Sequence, residues 1–437
     1  MRLYSTKNKS IFFSLEEAVM KGLPDDNGLF MPAAIGKIQK SILSNLELLS
    51  FQEIAYEVSK HLIGDSLEDR VIRRIVNNSI NFPAPVIQLD DNTYVLELFH
   101  GPSMAFKDFG ARFMAQLMGY YNESQNTKLT ILVATSGDTG GAVAAGFYNT
   151  PGVDVVILYP SGKVSDIQEK QLTTLGRNIT ALEIEGTFDD CQALVKQAFL
   201  DKDIKERMRL SSANSINIAR LIPQSFYYFE AYKQLPSKEL DVVFAVPSGN
   251  FGNLTAGVFA KKMGLPVKHF LASTNTNDII PNYLDSGVYT PRPSTRTISN
   301  AMDVGNPSNF GRLKNIYSGS GSTWNNMRHD IKGFRFTDDY TVAAIKQVDA
   351  LHDYTIDPHG AIGYLAYRQY QCFFKNTQGV ILETAHPAKF LDDVEEALNK
   401  KIHIPESLSD LLDKKKEATL LPATFEDFKS WLIQNKV

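Results

Sequence analysis

The sequence HGPSMAFKDFGARFM, residues 100–114, sets one lysine where an apolar loop meets a helix. Phe109, Phe113 and Leu117 recur every fourth position, which predicts a buried stripe on that helix. Lys107 lies at its start, where desolvation lowers the pKa of an ammonium group and favours the neutral amine. A neutral amine is a nucleophile toward an aldehyde. A solvated lysine in the first turn of an amphipathic helix fits the same spacing, so other motifs must decide.

Composition limits the classes of function. The chain has 437 residues and a net charge of −4, with 45 Lys plus Arg against 49 Asp plus Glu. This balance argues against a nucleic-acid partner, and no apolar run is long enough to cross a membrane. The two cysteines, Cys191 and Cys372, are too few for a disulfide framework or a cysteine-based zinc site, and no metal site is predicted. We expect a cytoplasmic protein without a secretory signal.

The pattern of elements predicts an α/β protein with an N-terminal, mostly helical domain over residues 1–95. Ser14 and Glu17 have the spacing of a capping box, and Gly22 can end that helix. From Thr93 onward, short apolar strands alternate with helices, which predicts parallel or mixed sheets covered on both faces. We expect a catalytic domain over residues 96–437. Further expectations are a long aromatic helix that ends near Tyr232 and an irregular polar stretch over residues 273–309.

The turn SGNFGN, residues 248–253, lies between a predicted strand and a predicted helix. Glycines there let the backbone approach a ligand, and the amides of a helix N-terminus favour a phosphate. Glycines that only provide clearance in a tight turn are the alternative. The candidate phosphate-binding residues are Gly249, Asn250, Phe251, Gly252 and Asn253.

The turn TSGDTGG, residues 135–141, has the same strand-to-helix setting. The hydroxyls of Thr135, Ser136 and Thr139, together with N-terminal amides, suit a small carboxylate. Ordinary N-capping by Ser136 or Asp138 is the alternative.

Two further motifs carry polar groups. Thr384 in ETAHPAKF, residues 383–390, follows a predicted strand and can hydrogen-bond a heterocyclic nitrogen, or satisfy local backbone. In ANSINIAR, residues 213–220, Asn214, Ser215 and Arg220 meet at a helix start and fit a second phosphate. A solvated arginine is the alternative there. An aldehyde-binding amine, a phosphate cradle and a ring-nitrogen partner together indicate pyridoxal 5′-phosphate.

These five motifs, taken in their order along the chain, resemble the threonine synthases of the enterobacterial and fungal type, a family of fold-type II pyridoxal-phosphate enzymes with two open α/β lobes. The resemblance covers nearly the whole chain. It implies conversion of O-phospho-L-homoserine and water to L-threonine and phosphate. Lys107 would hold the cofactor and shuttle protons, Asp138 would lie near the phenolic oxygen of the cofactor, and Thr384 would face its ring nitrogen.

The resemblance also implies how the substrate is held. Ser136 and Thr139 would bind its carboxylate, while Asn214, Ser215 and Arg220 would bind its phosphate. A smaller lobe, about residues 130–215, would close over the site when substrate binds. We expect a monomer or a homodimer.

Two alternatives stay open at this point. A relative such as a serine/threonine dehydratase or a cysteine synthase would share the cofactor set but bind no substrate phosphate. A catalytically silent, ligand-binding member of the family is the other alternative, although intact Lys107, Asp138, Arg220 and Thr384 argue against it.

Overall fold

The computed structural model describes residues 1–123, 125 and 127–436. Its strands form three sheets. An N-terminal antiparallel sheet has the order β2-β1-β3. Its strands are β1 (Leu3–Ser5), β2 (Asn8–Phe13) and β3 (Phe30–Pro32). The segment predicted as mostly helical therefore also contains a small sheet, whose short strands gave no clear alternation in the sequence.

A six-stranded sheet has the order β12-β11-β10-β13-β5-β4, and only the edge pair β4–β5 is antiparallel. The strand β13 lies near its centre, where Val380 pairs with Phe244 on one side and Tyr94 on the other. The strands are β4 (Val86–Asp90), β5 (Thr93–Glu97), β10 (Asp241–Pro247), β11 (His269–Thr274), β12 (Ile331–Arg335) and β13 (Thr377–Glu383).

A five-stranded parallel sheet has the order β14-β8-β7-β6-β9. Its strands are β6 (Leu129–Ala134), β7 (Val153–Pro160), β8 (Ile179–Glu185), β9 (Arg209–Ser212) and β14 (Thr419–Pro422). The chain thus returns to this sheet near its C-terminus. Parallel strands buried on both faces explain the continuous apolar runs in the sequence.

The helices cover the sheets and join them. They are α1 (Leu15–Lys21), α2 (Lys40–Ser44), α3 (Phe51–Ile63), α4 (Asp69–Ser79), α5 (Lys107–Asn122), α6 (Asp138–Phe147), α7 (Asp166–Thr173), α8 (Phe188–Leu200), α9 (Lys202–Arg207), α10 (Ile218–Leu221), α11 (Phe226–Gln234), α12 (Gly252–Met263), α13 (Ile279–Ser286), α14 (Phe310–Tyr317), α15 (Thr323–Asp330), α16 (Asp338–His352), α17 (Pro358–Gln371), α18 (Leu391–Leu398), α19 (Glu406–Leu412) and α20 (Phe425–Lys436). Among the described residues, no helix is long and apolar enough to cross a membrane.

Local signals in the sequence mostly match the structure. Ser14 and Glu17 form the predicted capping box, and Gly22 ends α1 with a φ of 73°. The predicted long aromatic helix is wrong, because a 3₁₀ segment, Ile222–Ser225, separates α10 from α11. Pro223 explains the break, since proline lacks the N–H that a continuous α-helix needs. The stretch predicted as irregular contains α13.

The helix α5 is held in place by aromatic side chains. Phe109 is fully buried, and its ring centroid lies 4.7 Å from that of Phe82, 5.2 Å from that of Tyr227 and 5.9 Å from that of Phe51. These neighbours come from three separate segments of the chain. The predicted buried stripe therefore fixes the helix that begins at Lys107.

Gly379 offers a test of how tightly the central strand is packed. A Cβ at this position would overlap the ring of the buried Tyr367. We expect Gly379→Ala to lower the free energy of unfolding by about 1–3 kcal/mol, because insertion into a packed core forces its neighbours to move. Gly311→Ala is the control: in α14 its Cβ would meet no atom of the described residues within 4 Å.

We expect Gly311→Ala to be neutral or to stabilise the protein by up to about 1 kcal/mol, because alanine loses less backbone entropy than glycine. Thermal and urea unfolding followed by circular dichroism would compare the two variants. Equal stability of the two would contradict the tight packing inferred at Gly379.

Candidate active site

Lys107 begins α5, directly after a loop that is bound to the end of β13. The backbone N–H of Phe106 donates to the carbonyl of Thr384 over 2.8 Å, and Ala105 forms an isolated antiparallel bridge with Ala385. These two contacts bring the lysine motif and the threonine motif together. The candidate aldehyde-binding amine and the candidate ring-nitrogen partner thus belong to one site.

The amine of Lys107 lies in a nearly closed environment. Its side chain is 15% exposed, and Nζ lies 3.4 Å from Oδ2 of Asp138. Burial is the main cause that lowers the pKa of Lys107, and the nearby cations Lys389 and Arg220 lower it further. Asp138 opposes this shift only in part. The buried position of this amine agrees with the desolvation expected from the sequence. Because its pKa is lowered, a larger share of the amine is neutral.

Asp138 is the first residue of α6, and its carboxylate is buried. Oδ1 accepts a hydrogen bond from Nε2 of Gln168 over 2.9 Å and lies 2.8 Å from Nζ of Lys389. Burial by itself raises the pKa of Asp138, but the ammonium groups of Lys389 and Lys107 and the bond from Gln168 hold it well below its ordinary value. Asp138 is therefore ionised.

The turn that follows β10 has the features of an anion cradle. Phe251 adopts a left-handed conformation with a φ of 60° directly before α12, whose N-terminal amides carry partial positive charge. A Cβ at Gly249 would lie 2.9 Å from the carbonyl oxygen of Ala301. Glycine is thus required at position 249 by close packing against the neighbouring segment, in addition to any approach of a ligand.

Asn253 shows how the cradle is oriented. The hydroxyls of Tyr227 and Tyr228 each donate to Oδ1 of Asn253 over 2.7 Å, so Nδ2 points the other way. Within residues 1–123, 125 and 127–436, the buried donors Asn253 Nδ2 and Asn309 Nδ2 have no hydrogen-bond acceptor. Asn309 Nδ2 lies only 3.4 Å from where a Cβ on Gly252 would be. Unpaired buried donors are costly, which indicates that an acceptor-rich group belongs here.

These observations fit pyridoxal 5′-phosphate. The described residues supply a partly desolvated amine for the aldehyde, unpaired donors at a helix N-terminus for the phosphate, and the buried Thr384 for the ring nitrogen. A neutral hydroxyl at Thr384 would leave the pyridine nitrogen of a bound cofactor largely unprotonated, because it offers no negative charge. The set of groups therefore matches this cofactor in type.

Arg220 approaches the same helix from α10. Its Nη1 donates to the carbonyl of Ala213 over 2.7 Å, and a Cβ at Gly110 would lie 2.8 Å from its Nε. Gly110 therefore makes room for the guanidinium. The side chain is 3% exposed, Nε finds no acceptor among the described residues, and burial lowers the pKa of Arg220 to about 10. Arg220 is a buried cation and not the solvated arginine of the alternative.

Asn214 and Ser215 connect the two turns. Nδ2 of Asn214 donates to the carbonyl of Ala134, the last residue of β6, over 2.9 Å. The Cβ of Ser215 lies 3.8 Å from where a Cβ on Gly252 would be. Both residues are half-buried. The structure therefore places this segment between the TSGDTGG and SGNFGN turns.

The TSGDTGG turn is stabilised differently from the capping alternative. Gly137 stands at the cap of α6 with a φ of 137°, and Oγ1 of Thr135 accepts from the backbone N–H groups of Gly137 and Gly140 over 3.0 and 2.8 Å. Ser136 and Thr139 are half-buried. Thr135, one of the three hydroxyls of the predicted carboxylate cradle, thus has a structural role, and the assignment of Ser136 and Thr139 to a carboxylate stays a prediction.

Sequence reasoning gave no role to several residues of the site. Lys389 stands in the sequence only as part of the motif ETAHPAKF, and the spacing of Ser165 and Gln168 predicts no more than a capping box. The hydroxyl of Ser165 does accept from the backbone N–H of Gln168, but the side-chain amide of Gln168 donates to Asp138. Asn309 and Arg312 lie in segments without a clear motif. Only a lysine inside a strand-end motif offered a signal, since the other contacts join distant parts of the chain.

Comparison with known proteins finds three family models that match successive parts of the chain. Residues 2–80 match the family described as threonine synthase N terminus, residues 80–382 match that of pyridoxal-phosphate dependent enzymes, and residues 360–432 match that of threonine synthase, C-terminal. A threonine synthase of Haemophilus influenzae is 45% identical over 422 residues, which cover 96% of both chains.

Solved structures point to the same family as the family models and the curated sequences. The crystal structure of threonine synthase from Escherichia coli has a TM-score of 0.92 and 40% identity and covers 100% of both chains. That of pyridoxal-phosphate-bound threonine synthase from Brucella melitensis has a TM-score of 0.93 and 36% identity and covers 99% of both chains. The fold-type II architecture, the resemblance and the cofactor predicted from the sequence are thereby confirmed. The chain belongs to the threonine synthase family of pyridoxal-phosphate-dependent enzymes.

Proposed function

We propose that this site converts O-phospho-L-homoserine and water to L-threonine and phosphate, with Lys107 as the residue that holds the cofactor and moves protons. Family membership supports this reaction, which is the last step of threonine biosynthesis. The single observation that supports the residue assignment best is the buried Lys107 amine beside the ionised Asp138. The substrate is a small molecule that carries a phosphate, an ammonium and a carboxylate.

Each end of the substrate has candidate partners in the chain. We assign the phosphate to Arg220, Asn214 and Ser215, because Arg220 is a buried cation with an unpaired Nε, a group suited to charge-assisted bonds. We assign the carboxylate to Ser136 and Thr139 beside the N-terminus of α6, where hydroxyls and amides donate without a full positive charge. Because the phosphate and the carboxylate of the substrate bind to different residues, the carbon chain between them is held in one orientation.

The proton transfers fall to Lys107. When bound, the cofactor supplies an electron sink for charge that develops on the substrate carbons. As a neutral amine, Lys107 is able to accept a proton from a substrate carbon and return it, and burial favours that neutral form. Asp138 keeps the amine oriented through a contact of 3.4 Å. Closure of the smaller lobe, about residues 130–215, over the substrate would exclude bulk water from this step.

The assignment of Lys107 can be tested by chemical trapping. Borohydride reduction of the holoenzyme followed by peptide mapping should label Lys107, and Lys107→Ala should lose about 10²–10⁴-fold in turnover, the usual share of a positioned general base. Lys389 is the natural internal control, because its buried ammonium also lies beside Asp138. Label on Lys389 in the wild type would overturn the assignment.

Arg220 distinguishes this reaction from that of a dehydratase-like relative. We expect Arg220→Lys to reduce kcat/KM for O-phosphohomoserine roughly ten- to hundredfold, because lysine lacks the guanidinium fork. The visible absorbance of the bound cofactor should stay unchanged. Arg112→Lys is the matched control: Arg112 lies on α5, the helix that Arg220 approaches from α10, and it donates to the carbonyls of Ser79 and Asn78.

Steady-state kinetics with O-phosphohomoserine would compare the two arginine variants. Equal kcat/KM in Arg220→Lys and the wild type would remove Arg220 from the phosphate site. A large loss in Arg112→Lys would mean that the assay reports stability of the helix and not binding.

The lowered pKa of Lys107 predicts a pH dependence in the protein freed of cofactor. Because only the neutral amine attacks an aldehyde, the rate of cofactor capture should rise with pH and level off below the ordinary lysine pKa of 10.5. Stopped-flow visible absorbance after mixing with pyridoxal 5′-phosphate measures this rate. A rate that still rises through pH 10.5 would mean that the amine is solvated.

A further inference from the structure

Lys389 is a fully buried lysine that the reaction as described does not use. It lies in a 3₁₀ turn, Pro387–Phe390, soon after the central strand β13. Its Nζ donates to the carbonyl of Ser103 over 2.7 Å and lies 2.8 Å from Oδ1 of Asp138. A buried ammonium is costly unless it is paired and hydrogen-bonded, and both conditions are met here.

The two oxygens of Asp138 have different surroundings. Oδ1 is shared by Lys389 and Gln168 at 2.8 and 2.9 Å, while Oδ2 has the longer contact of 3.4 Å with Lys107. The pairing with Lys389 is therefore the closer of the two ion pairs. Oδ2 stays on the side of the cofactor-binding amine, with capacity to accept a further hydrogen bond.

The charges around this pair come from every element that packs against it. Lys107 and Asp108 lie on α5, Arg220 on α10 and Lys389 on the turn after β13, while α7 contributes the neutral Gln168. Burial raises the pKa of Asp108 to about 6, so it is mostly ionised at neutral pH. Lys389 is the cation nearest to Asp138, and loss of its charge would leave Lys107, at 3.4 Å, as the one cation paired with Asp138 among the described residues.

We propose that Lys389 is a positioning residue: its ammonium fixes Asp138 as a charged carboxylate and cancels that charge beside the amine of Lys107. The cofactor then meets a neutral, strongly oriented pair instead of a free anion. This matters because the phenolic oxygen of pyridoxal 5′-phosphate is next to its aldehyde, and an uncompensated carboxylate would repel a phenolate there. The inference rests on the proposed role of Lys107.

Charge-removing variants test this pair in holoenzyme. The measurement is the pH midpoint at which the visible absorbance of the cofactor bound at Lys107 changes. Lys389→Met leaves Asp138 as a lone carboxylate, which favours protonation of the Lys107 nitrogen that holds the cofactor. The pH midpoint should therefore rise by about 1–3 units. Asp138→Asn leaves a lone ammonium, so the midpoint should fall. The double variant removes both charges and should return to within about 0.5 unit of the wild type.

A merely structural role of Lys389 would not produce shifts of opposite sign that cancel. Lys261→Met is the matched control, because Lys261 forms a partly buried ion pair of 2.7 Å with Asp330 and lies in the last turn of α12, at the opposite end of that helix from the candidate phosphate cradle. It should leave the midpoint unchanged even if the thermal midpoint of unfolding falls. If Lys389→Met does not fold, the comparison of Asp138→Asn with the double variant gives the same answer, since the added Lys389→Met must reverse the downward shift.

The outcomes separate the two proposals. Midpoints that stay at the wild-type value in all variants, with the cofactor trapped on Lys107, would overturn the role of Lys389 and leave the proposed function intact. Shifts that do not cancel in the double variant would also overturn it. A wild-type cofactor trapped on another residue would overturn both proposals.

Discussion

One buried carboxylate sets the relation between the two large sheets. Asp138 is carried by α6 of the five-stranded sheet, whereas Lys107 and Lys389 are attached to segments that follow β5 and β13 of the six-stranded sheet. An unpaired charge in this interior would cost several kcal/mol, so the sheets must meet where the carboxylate finds its partners. The cleft between them is therefore fixed by electrostatics as well as by apolar packing.

Among the residues that the structure describes, no carboxylate forms an ion pair with the two buried arginines near the site, Arg220 and Arg312. Arg220 donates to a backbone carbonyl, and the fully buried Arg312 donates to the carbonyls of Phe30 and Ile216 and to Oδ1 of Asn309. Burial lowers the pKa of Arg312 to about 9, yet it stays charged at neutral pH. Because Phe30 belongs to β3, Arg312 ties the N-terminal sheet to the segment beside Ser215. The N-terminal residues thus help to shape the candidate phosphate site.

The sequence predicted what local rules control. Alternation of strands and helices, the capping box at Ser14 and the turns after β6, β10 and β13 all depend on near neighbours. The contacts of Lys389, Gln168 and Arg312 depend on segments far apart in the chain, and no spacing rule encodes them. Whether Gln168 only takes part in the cap of α7 or also binds Asp138 depends on where Asp138 lies. Only the tertiary structure gives that position.

Charge explains why Asp138 needs a cation of its own. The N-termini of α6 and α12 follow strands of different sheets, and Arg220 adds a full positive charge, so the site favours anions. A cofactor phosphate and a substrate phosphate both gain from that field. An aspartate in the same field would compete with them unless its charge were already paired, and the contact of 2.8 Å with Lys389 pairs it. A carboxylate can then orient the amine of Lys107 without weakening the attraction for two phosphates.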